Sequence, residues 1–178
     1  MRITKYTLVK GILIILSAVD EILNAFPRTW GELNNWSEVR ARREEFWNQL
    51  IHKYGEGNVK SRVKYLEREG YIKPKHNGFT ISEKGWQKIA VDLCRNFGKS
   101  RQKSSTQSLK YVIIFDIPEK HRKSRNILRE CVLELGFKFL QKSVFVSDSE
   151  RAFRFIEVIV EKCGLGKYVR YIEIKKMW

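Results

Sequence analysis

The stretch Tyr111–Lys123, YVIIFDIPEKHRK, decides how the second half of the chain folds. Its first five residues form an unbroken apolar run, which favours a strand buried on both faces. Pro118 lacks the backbone N–H that a central strand needs, but its fixed φ angle suits the first turn of a helix. The stretch therefore predicts a strand that ends near Asp116 and a helix that begins near Glu119.

The residues after this junction extend the prediction to a whole domain over residues 109–178. The first helix is expected to run from Glu119 to Leu135, with Gly136 as its stop. Two short β-rich runs, FKFLQKS and VFVSD, follow, and a second helix is expected to begin at Ser149 or Glu150. The alternating run KYVRYIEI completes the order βαββαβ, which is that of a ferredoxin-like domain.

The first 97 residues predict four helices and one hairpin. Apolar residues recur at helical spacing, and capping residues and glycines mark the ends of the helices. The predicted boundaries are Lys5–Phe26 for the first helix, with Pro27 as its stop, Ser37 as the cap of the second, Asn58 as the cap of the third and Gly70 as the stop of the third. The dipeptide Asn77-Gly78 indicates a hairpin, and Ser82 and Glu83 open the fourth helix.

Three helices, a hairpin and a further helix are the elements of a winged helix-turn-helix domain. The predicted fold class is therefore α+β, with a winged helix in residues 1–97 and a ferredoxin-like domain in residues 109–178. The segment between them, residues 98–108, is rich in Ser and Lys and contains no large apolar residue, which predicts a flexible linker.

Charge points to a partner that carries phosphates. Lys and Arg number 35 against 20 Asp and Glu, a net charge of +15 that both halves of the chain share. Together with a winged helix, this charge predicts binding to double-stranded DNA through the major groove. The candidate DNA-binding residues are Asn58, Lys60, Ser61, Arg62, Lys64, Tyr65 and Arg68 on the third helix, Lys73, Lys75 and His76 on the hairpin, and Arg40 and Arg43 on the second helix.

Cysteine and histidine usage argues against a metal or disulfide framework. The three cysteines Cys94, Cys131 and Cys163 form no CxxC pair, and the three histidines are equally scattered. The apolar run Gly11–Val19 is followed directly by acidic residues, so it predicts a buried helix and not a signal peptide. These features predict a cytoplasmic protein with reduced thiols and no cofactor.

The second domain also carries a family resemblance. Its matching residues are Phe115-Asp116-Ile117-Pro118-Glu119, Arg122, Arg125, Leu128-Arg129, Gly136-Phe137 and Leu140-Gln141-Lys142-Ser143-Val144-Phe145. They resemble the central domain of PaaX-type transcriptional repressors, which is related to the CRISPR-associated protein-two family of small nucleases and integration-complex subunits. The resemblance implies a repressor-like DNA-binding regulator that forms a homodimer through this domain. PaaX-type repressors continue into a further C-terminal domain, whereas this sequence ends at Trp178, so their small-molecule control is not carried over as a prediction.

The same resemblance supplies an alternative that depends on Asp116. In the CRISPR-associated relatives, the acid at the end of the first strand lies near its copy in the dimer, and the pair holds a divalent ion. By position this acid is Asp116, which implies a Mg²⁺-dependent nuclease or an assembly subunit of the CRISPR adaptation type. The competing hypothesis is structural, because an Asp at this junction can accept backbone N–H bonds at the start of the following helix.

Overall fold

The computed structural model describes residues 8–17, 36–75, 78–99 and 110–174. The chain divides into two compact units, Met1–Ile89 (unit 1) and Ala90–Trp178 (unit 2). Both helices and strands are present, which confirms the predicted mixed class. Among the helices that the structure describes, none combines the length and the apolar character that crossing a membrane requires.

Unit 1 contains helices and one two-stranded antiparallel sheet. In order along the chain, its elements are α1 (Leu8–Ser17), α2 (Trp36–Tyr54), α3 (Glu56–Arg68), β1 (Ile72–Lys75), β2 (Gly78–Ile81) and the first part of α4 (Glu83–Lys99). The core is built from apolar side chains of all four helices and the hairpin, including Leu13, Leu50, Leu66, Ile72 and Trp86.

Two predicted helix starts in unit 1 are wrong. The helix α2 already includes Trp36, so Ser37 lies inside it and is not its cap. The helix α3 begins at Glu56, because Gly55 adopts a φ of 81° and turns the chain directly from one helix into the next. Asn58 therefore lies in the first turn of α3, where its side-chain amide donates to the carbonyl of Tyr54 at 2.7 Å. The predicted remainder of the first helix, from residue 18 to Phe26, lies outside the described residues.

The end of α3 and the hairpin follow the prediction closely. Gly70 has a φ of 71° and donates to the carbonyl of Glu67, and Tyr71 donates to the carbonyl of Leu66, which is the Schellman arrangement. The hairpin is confirmed, although Gly78 pairs with Lys75 and therefore already belongs to the second strand.

Unit 2 contains one four-stranded antiparallel sheet and its helices. Its elements are the last part of α4, β3 (Lys110–Phe115), α5 (Arg122–Glu134), β4 (Lys138–Gln141), β5 (Val144–Ser147), α6 (Glu150–Lys162) and β6 (Val169–Ile174). Short 3₁₀ turns precede α5 and β6. The strand order is β4-β5-β3-β6, so β3 is an inner strand. Val112 and Ile113 point to opposite faces of β3 and both are buried, which confirms the burial predicted from the apolar run.

The last part of α4 is held within unit 2 by specific contacts. The ring of Phe97 stacks on Phe155 of α6 with 4.2 Å between centroids, and Arg95 lies 2.8 Å from a carboxylate oxygen of Glu134 in α5. The division between the units falls inside α4, ahead of the predicted domain end at residue 97. Gly98 and Lys99, predicted as linker, are helical, whereas residues 100–108 lie outside the described residues.

Candidate nucleic-acid interface

The outward face of α3 is fixed by the residues that it buries. Val59 and Leu66 are 1% and 0% exposed, so they define the inward side of the helix. At about 100° per residue, Ser61, Lys64 and Arg68 lie on the opposite side, and all three are exposed. The sequence thus places one hydroxyl and two cations on the most outward line of a helix of 13 residues.

Tyr65 forms the centre of a second group on the same helix. The guanidinium groups of Arg62 and Arg68 lie 5.2 and 5.7 Å from the centroid of its ring, within the range of cation–π interactions. The ring is half-buried, whereas both arginines are exposed. Because the ring is anchored, it holds two positive charges at a defined spacing. We call Lys60, Ser61, Arg62, Lys64, Tyr65 and Arg68 the α3 surface.

Two of the predicted residues on α3 have intramolecular partners. The ammonium of Lys60 lies 2.7 Å from a carboxylate oxygen of Glu56, and the hydrogen bond and charge of Lys60 lower the pKa of that carboxyl. Both side chains of this pair are largely exposed, so the pair stabilises the helix little and Lys60 can exchange Glu56 for another anion. The amide of Asn58 is bonded to the end of α2 and lies away from the outward line.

The other predicted DNA-binding residues are only partly visible. Lys73 is exposed on β1 opposite Thr80. Lys75 pairs with Gly78 through its backbone, and its side chain lies outside the described part of the structure, as do the side chains of Arg40 and Arg43 in α2. His76 lies outside the described residues altogether. The structure therefore places seven of the predicted residues on α3, six of them in the α3 surface, and Lys73 on the strand that follows this helix.

Sequence reasoning missed three residues close to this surface, namely Tyr71, Lys84 and Lys88. Lys84 lies with its ammonium 4.5 Å from the ring centroid of Tyr71 and donates to the carbonyl of Glu69 at 2.7 Å. A cavity of about 350 Å³ is lined by Leu8, Val9, Arg62, Tyr65, Tyr71 and Lys88. The spacing of Lys84 and Lys88, one turn apart on α4, was the one available signal, but Tyr71 reads in the sequence as an ordinary start of a strand.

Asp116 is exposed directly after β3, and its structural and metal-binding hypotheses both stay predictions. Its backbone N–H donates to the carbonyl of Tyr168 at 3.0 Å. Pro118 and His121, the N-cap residues of the 3₁₀ turn and of α5, form no side-chain capping bonds. Glu119, the nearest acid in the sequence, is engaged by Arg125 at 2.6 Å. Across the described ranges, no three His, Cys, Asp or Glu side chains are placed to share a metal ion.

A comparison with known protein families finds a match that lies within unit 2. Residues 111–177 match a family model described as the PaaX protein central Cas2-like domain. A search of curated proteins and a search of solved structures each give no match to the chain. The matched range begins in β3 and extends past β6, so it includes the strand-to-helix junction at Pro118 and nearly all of the four-stranded sheet. The match covers more than a third of the chain and confirms the resemblance to the PaaX-type central domain that the sequence predicted.

Proposed function

We propose that the protein is a DNA-binding regulator of transcription, repressor-like and cytoplasmic, that works as a homodimer. The PaaX-type domain indicates a regulator of the PaaX type. In our proposal, unit 1 is a winged helix that reads double-stranded DNA and unit 2 is a ferredoxin-like dimerisation domain. The observation that carries the proposal is the α3 surface, where exposed cations and a hydroxyl surround an anchored tyrosine ring on a helix followed directly by a hairpin.

The dimensions of unit 1 support the winged-helix assignment. A helix of 13 residues fits the major groove, which is about 12 Å wide. The Schellman turn at Gly70 leads the chain straight from α3 into β1, so the exposed Lys73 follows α3 by only a few residues. In this arrangement α3 would enter the groove and the hairpin would contact the phosphate backbone.

The chemistry of the α3 surface assigns different tasks to its residues. Ser61 and Lys64, on the outward line, would face base edges, where a hydroxyl and an ammonium can donate hydrogen bonds to acceptors. Arg62 and Arg68, held beside Tyr65, would contact phosphates and fix the position of the helix. Binding should then weaken as the salt concentration rises. The logarithm of the binding constant should fall with the logarithm of the salt concentration, with a slope of roughly −0.9 per phosphate contact.

The sheet of unit 2 supports the homodimer. Aromatic contacts such as Tyr111 on Phe153 of α6 show that α6 lies over the face of β3 that carries Tyr111, Ile113 and Phe115. Strand alternation and register place a set of apolar side chains on the opposite face: Val112, Ile114, Val144, Val146, Ile172 and Ile174. Of these, Val112 is buried and Ile172 is 42% exposed. A second copy would cover this face, because an apolar surface of one chain is complementary to itself across a two-fold axis.

DNA binding is tested with a fluorescently labelled duplex selected from a random pool, at several salt concentrations. We expect Lys64→Gln to weaken binding to the selected duplex and to reduce its preference over a duplex of unrelated sequence, as the loss of a base contact should. Lys167→Gln, which removes an exposed lysine of unit 2, should leave binding close to that of wild type. Equal affinities of Lys64→Gln and wild type at the same salt would contradict the assignment of α3.

The dimer is tested by light scattering after gel filtration. Ile172→Glu should give a monomer, because a carboxylate would then lie on the proposed interface. Leu133→Glu is the matched control, since Leu133 is 51% exposed but lies on α5 and not on the sheet. Dimeric Ile172→Glu protein would contradict the proposed face.

The Cas2-like match keeps one alternative open to experiment, a metal-dependent nuclease or an assembly subunit of the CRISPR adaptation type that uses Asp116. Wild type and Asp116→Ala are incubated with DNA or RNA and Mg²⁺ or Mn²⁺. If wild type cleaves the nucleic acid and Asp116→Ala does not, the protein is a nuclease and the proposed regulatory function is contradicted. Intact nucleic acid in both reactions, together with duplex binding, supports the regulator.

A further inference from the structure

The cavity in unit 1 has the lining of a site for a small organic anion. Its volume of about 350 Å³ lies at the lower end of the range for small-molecule pockets. Leu8 and Val9 of α1 provide apolar side chains, and Tyr65 and Tyr71 provide aromatic ones. Among the described lining residues, Arg62 and Lys88 are charged, and both are positive. A ligand that fits this lining has an apolar body and a negative charge.

The two cations of the cavity are available to a ligand. Among the described residues, neither Arg62 nor Lys88 forms an ion pair, whereas Lys60 on the same helix as Arg62 is paired with Glu56. Arg62 interacts with the ring of Tyr65, which leaves its N–H donors free for an anion. No acid belongs to the part of the lining that the structure describes, so this part of the cavity carries a positive potential that a bound anion would offset.

We infer that this cavity binds a small organic carboxylate, with its charge at Arg62 and Lys88 and its apolar body against Tyr65, Tyr71 and the α1 side chains. A carboxylate matches the planar fork of an arginine, and two charge-assisted contacts give the site its selectivity for anions over neutral molecules. The aromatic and aliphatic walls give it selectivity for an organic anion over inorganic phosphate.

The position of the cavity also implies a regulatory consequence, which rests on the proposed function. Arg62 and Tyr65 belong both to the cavity and to the α3 surface. A carboxylate that engages Arg62 would compete with a DNA phosphate for the same guanidinium, so ligand and DNA should weaken each other's binding by the same factor.

The binding step is tested without DNA, so that its outcome is independent of the proposed function. Calorimetric titrations use benzoate, benzyl alcohol as an uncharged molecule with the same ring, and inorganic phosphate. We expect benzoate to bind, and Lys88→Gln to weaken it by about tenfold to a hundredfold. Lys84→Gln should have no effect, because Lys84 is on the same helix but not in the lining. Lys88→Arg should restore most of the affinity, which a loss of folding would not allow.

Three results would overturn the inference: no binding of benzoate, equal binding of benzyl alcohol, or unchanged binding in Lys88→Gln. Phosphate binding as tightly as benzoate would also overturn it, because the cations would then act as a plain phosphate contact. If benzoate binds as expected, the regulatory step is tested by adding it to the duplex complex, where it should lower DNA affinity. If benzoate binds but DNA affinity does not change, the competition between ligand and DNA is refuted while the carboxylate site itself still stands.

Discussion

The hydroxyl of Ser82 contacts three backbone groups in two segments of unit 1, and its removal should destabilise that unit more than the loss of an ordinary helix cap. Ser82 Oγ lies 2.6 Å from the carbonyl oxygen of Gly70 and 3.1 Å from that of Tyr71, and it accepts the N–H of Gly85 at 3.1 Å. The residue is only 8% exposed. Ser82 thus connects the start of α4 to the turn between α3 and β1.

The magnitude for Ser82→Ala follows from two losses. Removing an N-cap hydroxyl costs about 1 kcal/mol of the free energy of unfolding. The hydroxyl also donates its proton to the carbonyl oxygen of Gly70, the closer of the two carbonyls. Losing this donor costs about 1–2 kcal/mol more, the penalty for an unsatisfied carbonyl. We therefore expect a decrease of about 2–3 kcal/mol in total.

Ser149→Ala is the matched control for this prediction. Ser149 caps α6 by accepting the N–H of Ala152 at 3.2 Å, and its hydroxyl has no second bond among those that the described residues show. Its replacement should cost only the cap, about 1 kcal/mol. The comparison isolates the contribution of the carbonyl contacts of Ser82.

Urea unfolding measures both variants. Four of the five tryptophans precede residue 90, so their fluorescence follows unit 1, while far-ultraviolet circular dichroism follows both units. Ser82→Ala should shift the fluorescence transition to lower urea without a change in its slope. A shift no larger than the one that Ser149→Ala causes in its own unit would refute the reasoning.

Two further predictions concern unit 2. Among the described residues, the buried Tyr171 hydroxyl has no hydrogen-bond partner, so Tyr171→Phe should raise the free energy of unfolding by about 1 kcal/mol. Burial raises the pKa of Tyr171, so the unfolded chain loses this proton near pH 10 while the folded chain keeps it. Wild-type stability should thus fall as pH rises above about 10, and Tyr171→Phe should lack that part of the decrease; an identical pH profile would contradict this account. Gly98→Ala should lower the free energy of unfolding by about 1–3 kcal/mol, because the new Cβ would clash with the carbonyl oxygen of Glu134. Gly57→Ala is the control: its Cβ meets open space, so it should raise the free energy of unfolding by up to about 1 kcal/mol. Equal melting temperatures of the two variants would argue against the close contact at Gly98.

Local signals in the sequence were sufficient to predict the ends of strands and helices wherever one residue dictates the backbone conformation. Pro118 ends the strand and starts the helical turn, because it cannot donate to a sheet and its φ is fixed. Gly70 and Gly136 end α3 and α5 at positive φ, where a side chain would be strained. Most of the α3 surface was also predictable, since the helical period alone separates Lys64 from the buried Leu66.

The errors arose where two local signals competed or where a tertiary contact decided. Asn58 is a good capping residue, but Gly55 can adopt the positive φ that joins α2 to α3 directly, and the helix therefore starts earlier. The sequence at Gly98 resembles a linker, yet the absence of a side chain lets α4 approach the backbone of α5, and Phe97 stacks on α6. Residues far apart in the sequence line the cavity, so no local pattern could have predicted it.

The charges on α3 suggest how such a helix can be selective in a strongly basic chain. The segment Glu56–Arg68 carries four basic and two acidic residues, a net charge of +2, against +15 for the whole chain. In the proposed complex, most of the electrostatic attraction to DNA would therefore come from elsewhere in the chain, where it would be independent of base sequence and sensitive to salt. Glu56 and Glu67 lie toward one side of α3, next to Lys60, while the outward line holds Ser61, Lys64 and Arg68 and no acid. If α3 entered the groove with its acidic side against a phosphate, it would be repelled, so these two glutamates would restrict the orientation of the helix. Ser61 and Lys64 would then face the base edges in one register.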